Sequence, residues 1–196
     1  MIKKAMKVAN TPYVMLWMDD YLLCDYIQNE DIQKQIERAK NWATANLRLV
    51  ESPKCKGIYQ NNNKIGYYDR GEAYSLSTQV GIWDRKFLEN LIDEEWSAWN
   101  FERIGSLSKK NLQQPILVSL DYVFPYEEGV RKGKWMIQGA NLCRKNSIKL
   151  DYTKRPIMTN LEMAKIYFQG AILDWNPNLI VCVQNIIHKP ELFMSI

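Results

Sequence analysis

Six consecutive apolar residues at positions 13–18, YVMLWM, run directly into Asp19 and Asp20. An apolar run of this length, placed just after Pro12, predicts a buried strand. Two adjacent carboxylates at the end of a buried strand repel each other unless a positive group or water lies beside them. The chain must therefore bring a metal ion, a basic side chain or solvent to this strand end.

Strand-like and helix-like segments alternate along the rest of the chain. Apolar residues at Ile32, Ile36, Ala39 and Ala43 share one face of a helix predicted from residue 30 to about 46. Further strands are predicted at 47–50, 74–83, 115–124 and 179–187, and further helices at 1–11, 85–92, 97–105, 135–145 and 160–173. Asp84 and Ser97 are the predicted N-caps, and 51–73 is predicted as a loop or an irregular hairpin. This alternation, with no repeat and no low-complexity linker, predicts one α/β domain over residues 1–196.

The composition narrows the possible functions. Aromatic residues make up 12% of the chain, which suits a large core and also a cleft that stacks flat ligands. The net charge of +4 is mild and the only basic block is RKGK at 131–134, so we expect no nucleic-acid partner. The four cysteines, Cys24, Cys55, Cys143 and Cys182, are widely spaced and His188 is the only histidine, which disfavours a zinc site and histidine-assisted nucleophilic catalysis.

No stretch of the sequence reads as a signal peptide, and no window holds eighteen consecutive apolar residues. We therefore expect a cytoplasmic protein with no transmembrane segment. A location peripheral to the inner face of the membrane is the alternative.

The acidic pair is the first candidate for chemistry. The carboxyl end of a buried strand is where open α/β sheets place ligand groups. Asp19 and Asp20 there would suit a hard divalent cation, Mn²⁺ or Mg²⁺, which takes oxygen ligands. The alternative is that one aspartate caps a turn and the other faces solvent.

The second candidate lies in the stretch EEWSAWNFE, which holds Glu94, Glu95 and Glu102 among two tryptophans and a phenylalanine. Desolvation by aromatic neighbours tends to raise the pKa of a carboxyl group, which suits a general base. Glu102 could equally form a structural ion pair with Arg103 or a distant lysine.

The third candidate is YEEGVRKGKW, in which Arg131, Lys132 and Lys134 lie among glycines. Glycine lets the backbone approach a ligand closely, and the cations suit a phosphate group. The alternative is a solvated hairpin turn.

The order of these motifs is more specific than any one of them. A strand ending in MDDYLL, followed by SLSTQVGIW, WNFE and RKGKW, resembles a family of bacterial glycosyltransferase-like proteins from capsule and other surface-polysaccharide gene clusters. The resemblance covers roughly residues 1–140 and leaves 141–196 as a C-terminal helix and strand extension. It implies a mixed sheet flanked by helices, similar to the acceptor-side part of the GT-A fold. It also implies a nucleotide-sugar donor and a glycan or lipid-linked acceptor.

The same resemblance assigns roles to individual residues. Asp19 and Asp20 match the family's Asp-x-Asp metal motif, although Met18 stands where many relatives carry another acid. Glu102 matches the base that activates the acceptor in an inverting transferase. The residues assigned to substrate binding are Gln79, Trp83, Trp99, Arg131, Lys132 and Lys134.

In the GT-A fold a nucleotide-binding half precedes the acidic strand, whereas about a dozen residues precede it here. We therefore expect a truncated or partner-dependent enzyme, with an unpaired sheet edge that a second copy, a partner subunit or the residues after 140 would cover. A non-catalytic carbohydrate-binding or assembly protein with the same fold is the alternative.

Overall fold

The computed structural model describes residues 2–108, 113–176 and 179. Its helices are α1 (Ile2–Val8), α2 (Asn29–Asn41), α3 (Arg85–Leu91), α4 (Ala98–Asn100), which runs into a π-helix (Phe101–Gly105), α5 (Ile137–Lys145) and α6 (Asn160–Trp175). Its strands are β1 (Tyr13–Leu16), β2 (Tyr21–Leu23), β3 (Asn46–Arg48), β4 (Gly57–Tyr59), β5 (Asn62–Tyr68), β6 (Gly81–Asp84), β7 (Ile116–Ser119), β8 (Tyr126–Glu128), β9 (Val130–Arg131) and β10 (Lys134–Trp135).

The central sheet has six strands in the order β1-β6-β3-β7-β5-β4. Strands β3 and β7 are parallel, and every other neighbouring pair in this sheet is antiparallel. Two separate two-stranded sheets join β2 to β8 and β9 to β10. The prediction of an α/β fold with a mixed sheet flanked by helices is confirmed.

Both faces of the central sheet are buried because helices cover each of them. Successive strand residues point to opposite faces, so Trp83 packs with Leu88 of α3 in one cluster. Its neighbour Ile82 packs with Leu117 and with Ala39 of α2 in the other. A strand buried on both faces reads as a continuous apolar run, which is why β6 and β7 lack a polar alternation.

Both predicted N-caps are confirmed. The Asp84 carboxylate accepts a hydrogen bond from the Phe87 backbone N–H at 2.7 Å, at the start of α3. The Ser97 hydroxyl accepts one from the Asn100 backbone N–H at 3.2 Å, at the start of α4. These bonds satisfy N–H groups that have no partner within the first turn of a helix.

The strands are shorter than predicted. The predicted strand 74–83 is a strand only at 81–84, because residues 74–80 form irregular backbone whose polar groups bond to other parts of the chain. Residues 115–124 form a strand only at 116–119, and β1 ends two residues before the predicted end at 18. The predicted strand 179–187 and His188 lie outside the described residues.

Residues 51–73 contain the β4–β5 hairpin, whose register shifts between Ile58 and Tyr59, so the irregular hairpin among the two predicted alternatives is confirmed. Gln60 and Asn61 form its turn with φ of 46° and 60°. Positive φ at both central residues is the geometry of a tight hairpin whose twist matches its strands. Strand β4 is one edge of the central sheet and β1, which precedes the acidic pair, is the other.

A small cluster of Met136, Met158, Met163 and Ile166 packs α6 against the segments that lead into α5 and α6. Helix α6 begins at a reciprocal cap: the Thr159 hydroxyl accepts from the Glu162 N–H, and the Glu162 carboxylate accepts from the Thr159 N–H at 2.9 Å. Within the described part of the chain, no helix combines the length and apolar character needed to cross a bilayer.

Candidate functional site

A cavity of about 540 Å³ lies between the irregular backbone beside the sheet and helix α6. We call it the central cavity. Its wall includes five of the residues that the sequence analysis assigned to a site: Gln79, Trp99, Glu102, Arg131 and Lys132. Helix α6 contributes Ile166, Gln169, Gly170 and Leu173 to the opposite side. Residues as far apart in the sequence as Ser52 and Leu173 thus face one space.

The π-helix carries Glu102 into the wall of this cavity. Short π-helical turns occur frequently at functional sites because the extra residue re-aims the side chains. Oxygen Oε1 of Glu102 accepts three hydrogen bonds, from the Thr78 N–H at 2.7 Å, the Thr78 hydroxyl at 2.8 Å and the Ser77 hydroxyl at 3.0 Å. Oxygen Oε2 accepts none from the described residues. One oxygen is therefore fixed and the other is available to a ligand.

Arg48 lies fully buried behind the same wall. Its guanidinium donates to the carbonyl oxygens of Ser52 at 2.6 Å and of Tyr74 and Ser75 at 2.5 Å each. It also lies 4.0 Å from the centroid of the Tyr68 ring. These bonds tie the segment after β3 to the segment before β6, and both segments line the cavity.

The charge of Arg48 has no carboxylate within salt-bridge distance among the described residues. Burial lowers the pKa of Arg48, while the nearby Tyr68 and Glu102 oppose that shift. A buried cation without a paired anion is costly, and it gives the adjoining cavity a positive potential. An anionic group in the central cavity would be stabilised by it.

Two wall residues, Tyr74 and Lys132, have left-handed backbone with φ of 60° and 51°. This conformation is uncommon for residues other than glycine, and such residues cluster at functional sites. Lys132 and Gly133, whose φ is 75°, form the two-residue turn between β9 and β10. The turn fixes where Lys132 and its neighbour Arg131 enter the cavity wall.

Arg131 is paired with Glu128 at 2.8 Å between Nε and Oε1. Burial nevertheless raises the pKa of Glu128; the arginine opposes this shift, while the charges of Asp20 and Glu102 add to it. Desolvation and the two other carboxylates together raise the pKa of Glu128 more than Arg131 lowers it. Two carboxylates from other parts of the chain, Asp20 and Glu102, thus act on Glu128 beside the central cavity.

A second cavity of about 450 Å³, which we call the aromatic cavity, lies at the carboxyl ends of the parallel pair β3 and β7. Tyr122, Phe124 and Tyr126 are in its wall together with Glu51 and Glu128. Carboxyl ends of parallel strands are the usual ligand position in α/β sheets. The residues immediately after both strands, 49–51 and 119–121, line it.

Two polar pairs link the two cavities. Tyr126 of the aromatic cavity donates a hydrogen bond to the side chain of Gln79 in the central cavity. Glu128 of the aromatic cavity is ion-paired to Arg131 of the central cavity. Burial raises the pKa of Tyr126, and the charge of Glu128 adds to that shift, so the phenol stays a hydrogen-bond donor at neutral pH.

The acidic pair lies beside this site. Asp19 is exposed, whereas Oδ1 of Asp20 is buried and has no hydrogen-bond partner among the described residues. Burial and the Asp19 charge raise the pKa of Asp20, while Arg131 and Arg155 lower it. The positive groups that act on Asp20 in this structure are thus two arginines.

The two aspartates can supply part of a cation site. Within the described residues no group of three or more Asp, Glu, His or Cys side chains is arranged to hold a metal ion. Mg²⁺, however, is often held by one or two carboxylates together with substrate phosphates. The unpartnered Oδ1 of Asp20 fits that arrangement, with the phosphate of a ligand as the remaining source of oxygen.

Two of the residues assigned to substrate binding lie elsewhere. Trp83 is fully buried, with its ring 5.6 Å from that of Phe101, so it forms core and no ligand wall. The error arose because β6 is buried on both faces, so strand alternation does not expose any of its large side chains. Lys134 pairs with Glu162 at 2.5 Å, at the first turn of α6, and is absent from the wall of the central cavity.

The sequence motifs did not point to Arg48, Tyr126 or Glu128 as site residues. A charged residue within the apolar stretch LRLV was a usable signal for Arg48, because an arginine inside a buried strand needs a specific set of acceptors. Nothing in the local sequence separates Glu128 from its neighbour Glu127, since the pairing of β8 with β2 decides which of them is buried.

The chain shows no significant match to any protein-family model, curated protein or solved structure.

Proposed function

We propose that this chain is a glycosyltransferase-like protein that transfers a sugar from a nucleotide-sugar donor to a glycan or lipid-linked acceptor in surface-polysaccharide synthesis. The observation that carries the proposal is the pairing, in one cavity, of an oriented carboxylate, Glu102, with the cations Arg131 and Lys132. Acceptor activation needs a base, and a departing diphosphate needs positive charge. An acceptor-side unit with the GT-A type of fold has this combination.

In the proposed reaction Oε2 of Glu102 accepts the proton of an acceptor hydroxyl group. The hydroxyl oxygen forms a bond to the anomeric carbon of the donor sugar, while the bond from that carbon to the diphosphate oxygen breaks. Arg131 and Lys132 stabilise the charge that develops on the diphosphate. Arg48, buried behind the same wall, adds to this potential without touching the ligand.

Asp19 and Asp20 are the proposed ligands of Mn²⁺ or Mg²⁺. When bound, such an ion neutralises charge on the diphosphate. The unpartnered Oδ1 of Asp20 supports this assignment. Asp20 also experiences the charge of Arg131, so the proposed ion and the cationic turn would serve the same phosphate groups.

The aromatic cavity is the proposed position for a sugar ring of the acceptor. Its tyrosines offer flat apolar faces with polar ends, and Glu51 and Glu128 offer acceptors for hydroxyl groups. The Tyr126–Gln79 bond and the Glu128–Arg131 pair connect it to the central cavity, which supports one ligand path through both.

Nucleotide binding and turnover test this proposal. We expect isothermal titration with UDP and GDP in Mn²⁺ to show binding, and a sugar-nucleotide panel to show hydrolysis or transfer. Absence of binding at millimolar nucleotide would overturn a self-sufficient enzyme. Binding restored only by a second protein would instead support the partner-dependent form, in which the edge strand β1 is the attachment point.

The second candidate function is a non-catalytic carbohydrate-binding or assembly protein. The aromatic cavity favours it, because sugar stacking there would need no metal ion and no nucleotide. Glycan binding that is independent of Mn²⁺ and unchanged in Asp20→Ala would support this function over the transferase.

A further inference from the structure

Helix α6 has an apolar face on the outside of the molecule. Leu161, Phe168 and Trp175 are 67%, 68% and 78% exposed, although each is a large apolar side chain. They are spaced seven residues apart, so they form one stripe along the helix. The buried residues Met163 and Ile166 lie on the other side. Helix α6 therefore has apolar side chains on both its inner and its outer side, whereas the outer side of an ordinary surface helix is polar.

The stripe also holds a cation. Lys165 is exposed and lies four residues after Leu161 and three before Phe168, which places it on the same face. A lysine can lay its methylene groups along an apolar surface while its ammonium group stays in water or among headgroups. Trp175 ends the helix, and tryptophan favours positions where an apolar region meets a polar one.

The positive charge of the chain is concentrated in the stretch of sequence that leads into α6 and forms its first turns. Residues 144–165 contain six lysines and arginines and two carboxylates, so this stretch alone has the net charge of +4 that the whole chain has. Arg144, Lys145, Lys149, Lys154 and Arg155 are all exposed in the segment that leads into α6. The rest of the chain is therefore electrically balanced.

We propose that the outer face of α6 binds an anionic lipid bilayer. Exposed leucine, phenylalanine and tryptophan side chains on one helix face, following a basic stretch of the chain, favour a position in the membrane interface. Each basic residue near an anionic leaflet adds to the attraction, within the Debye length. We choose a bilayer over a protein partner because of this excess positive charge. An apolar surface of another protein could cover the stripe without any basic residues nearby.

The opposite side of α6 lines the central cavity through Ile166, Gln169 and Leu173. A bilayer bound to the outer face would therefore lie one helix diameter, about 10 Å, from the proposed site. That separation suits an acceptor whose sugar is attached to a lipid. The proposed membrane surface rests on α6 and the basic stretch before it, and it does not depend on the proposed transferase chemistry.

Vesicle sedimentation of the full chain tests the proposal. We expect binding to phosphatidylcholine vesicles that contain phosphatidylglycerol, little binding to phosphatidylcholine alone, and weaker binding as salt is raised. Phe168→Ser and Trp175→Ser should each lower the partition coefficient about tenfold. Lys165→Glu should lower it about fivefold on the anionic vesicles only.

Matched controls exclude a general effect of surface changes. Tyr26 is 90% exposed away from α6, and Lys86 is exposed on α3; Tyr26→Ser and Lys86→Glu should leave vesicle binding unchanged. Glu102→Gln should also leave it unchanged, so loss of activity and loss of membrane binding are separable outcomes.

Three results would overturn the proposal. The first is wild-type protein that remains in the supernatant with anionic vesicles. The second is a dimer in light scattering that Phe168→Ser converts to monomer, which would assign the stripe to a second copy. The third is a lower unfolding temperature in Phe168→Ser with no change in vesicle binding, which would assign it to packing within the chain.

Discussion

The two sides of the central cavity are built by different means. On the sheet side, Arg48 is fully buried with three carbonyl acceptors, and Glu102 is fixed by three donors. On the other side, α6 is attached by a small methionine cluster, the Lys134–Glu162 pair and a bond from the Lys54 N–H to Asp174, and most of its residues are exposed. The sheet side thus holds its charged groups by several hydrogen bonds each, whereas α6 has few buried contacts, a property of elements that open locally at low cost.

The largest effect is expected for Glu102→Gln. The amide oxygen can accept the same hydrogen bonds as Oε1, but the amide nitrogen cannot take a proton, so transfer should fall by about 10²–10⁴-fold with the fold intact. Initial rates with a fixed donor and acceptor measure the change. Glu95→Gln, an exposed residue seven positions away, is the control and should keep full activity. Equal rates in the two variants would remove Glu102 from the mechanism.

Arg48→Met is expected to destabilise the sheet side. Methionine fills much of the space, but the carbonyl groups of Ser52, Tyr74 and Ser75 lose their donors, at a cost of about 3 kcal/mol. Urea denaturation followed by circular dichroism gives the free energy of unfolding. Lys165→Met, on the exposed side, should change it by about 0.5 kcal/mol or less. A stable Arg48→Met protein would mean that the buried cation is not needed to join the two segments.

Substitution by alanine should change the stability of the protein in opposite directions at two glycines. A Cβ at Gly139 in α5 would lie 2.6 Å from the Gly129 Cα, so Gly139→Ala must displace backbone and should destabilise by about 2 kcal/mol. A Cβ at Gly170 in α6 meets nothing within 4 Å, so Gly170→Ala should stabilise by about 0.5–1 kcal/mol. Thermal unfolding of both variants checks the pair. Two changes of the same sign would contradict the contact geometry.

The smallest expected effects are on the pH dependence of the free energy of unfolding. Glu162 and Glu128 should contribute to it with opposite signs. The Lys134 ammonium and the Thr159 cap lower the pKa of Glu162 to about 2, so its contribution to stability is present above the ordinary value of 4.5 and is lost as pH falls from there. Burial raises the pKa of Glu128, so its carboxyl group favours the folded state at low pH and loses that effect as pH rises through its folded pKa.

Stability curves of Glu162→Gln and Glu128→Gln between pH 2 and 7 test this contrast. The difference between wild type and Glu162→Gln should shrink as the solution is acidified. The Glu128→Gln protein should gain relative to wild type as pH rises. Curves that run parallel to wild type would show that neither carboxyl group is perturbed by folding.

Local signals in the sequence predicted much of the fold. The N-caps Asp84 and Ser97 and the helices α2, α5 and α6 follow from short-range patterns, and the structure has all of them. The strands predicted at 74–83 and 115–124 were too long. The ends of β6 and β7 depend on which backbone groups find partners across the sheet, and the local sequence does not contain that information. The irregular stretch 74–80 looks like a strand in sequence, yet its carbonyl groups serve Arg48 and its N–H and hydroxyl groups serve Glu102.

The candidate site was predictable where function follows from residue type. Glu102, Arg131 and Lys132 were named from their chemistry, and all three line the central cavity. Trp83 failed because an aromatic residue in a strand can face a ligand or the core, and only the packing of α3 decides. Lys134 lies outside the wall and pairs with Glu162, a partner 28 residues away that its local sequence does not indicate. The metal and substrate assignments stay predictions.

Helix α6 has Gln169 on the cavity and Phe168 on the outside, one residue apart. Any ligand that orders α6 from within and any surface that orders it from without act on the same helix, so each changes the affinity for the other by the same factor. An assay without vesicles would then measure the lower of the two ligand affinities. The same chain on vesicles would reveal a reciprocal gain in ligand and membrane affinity.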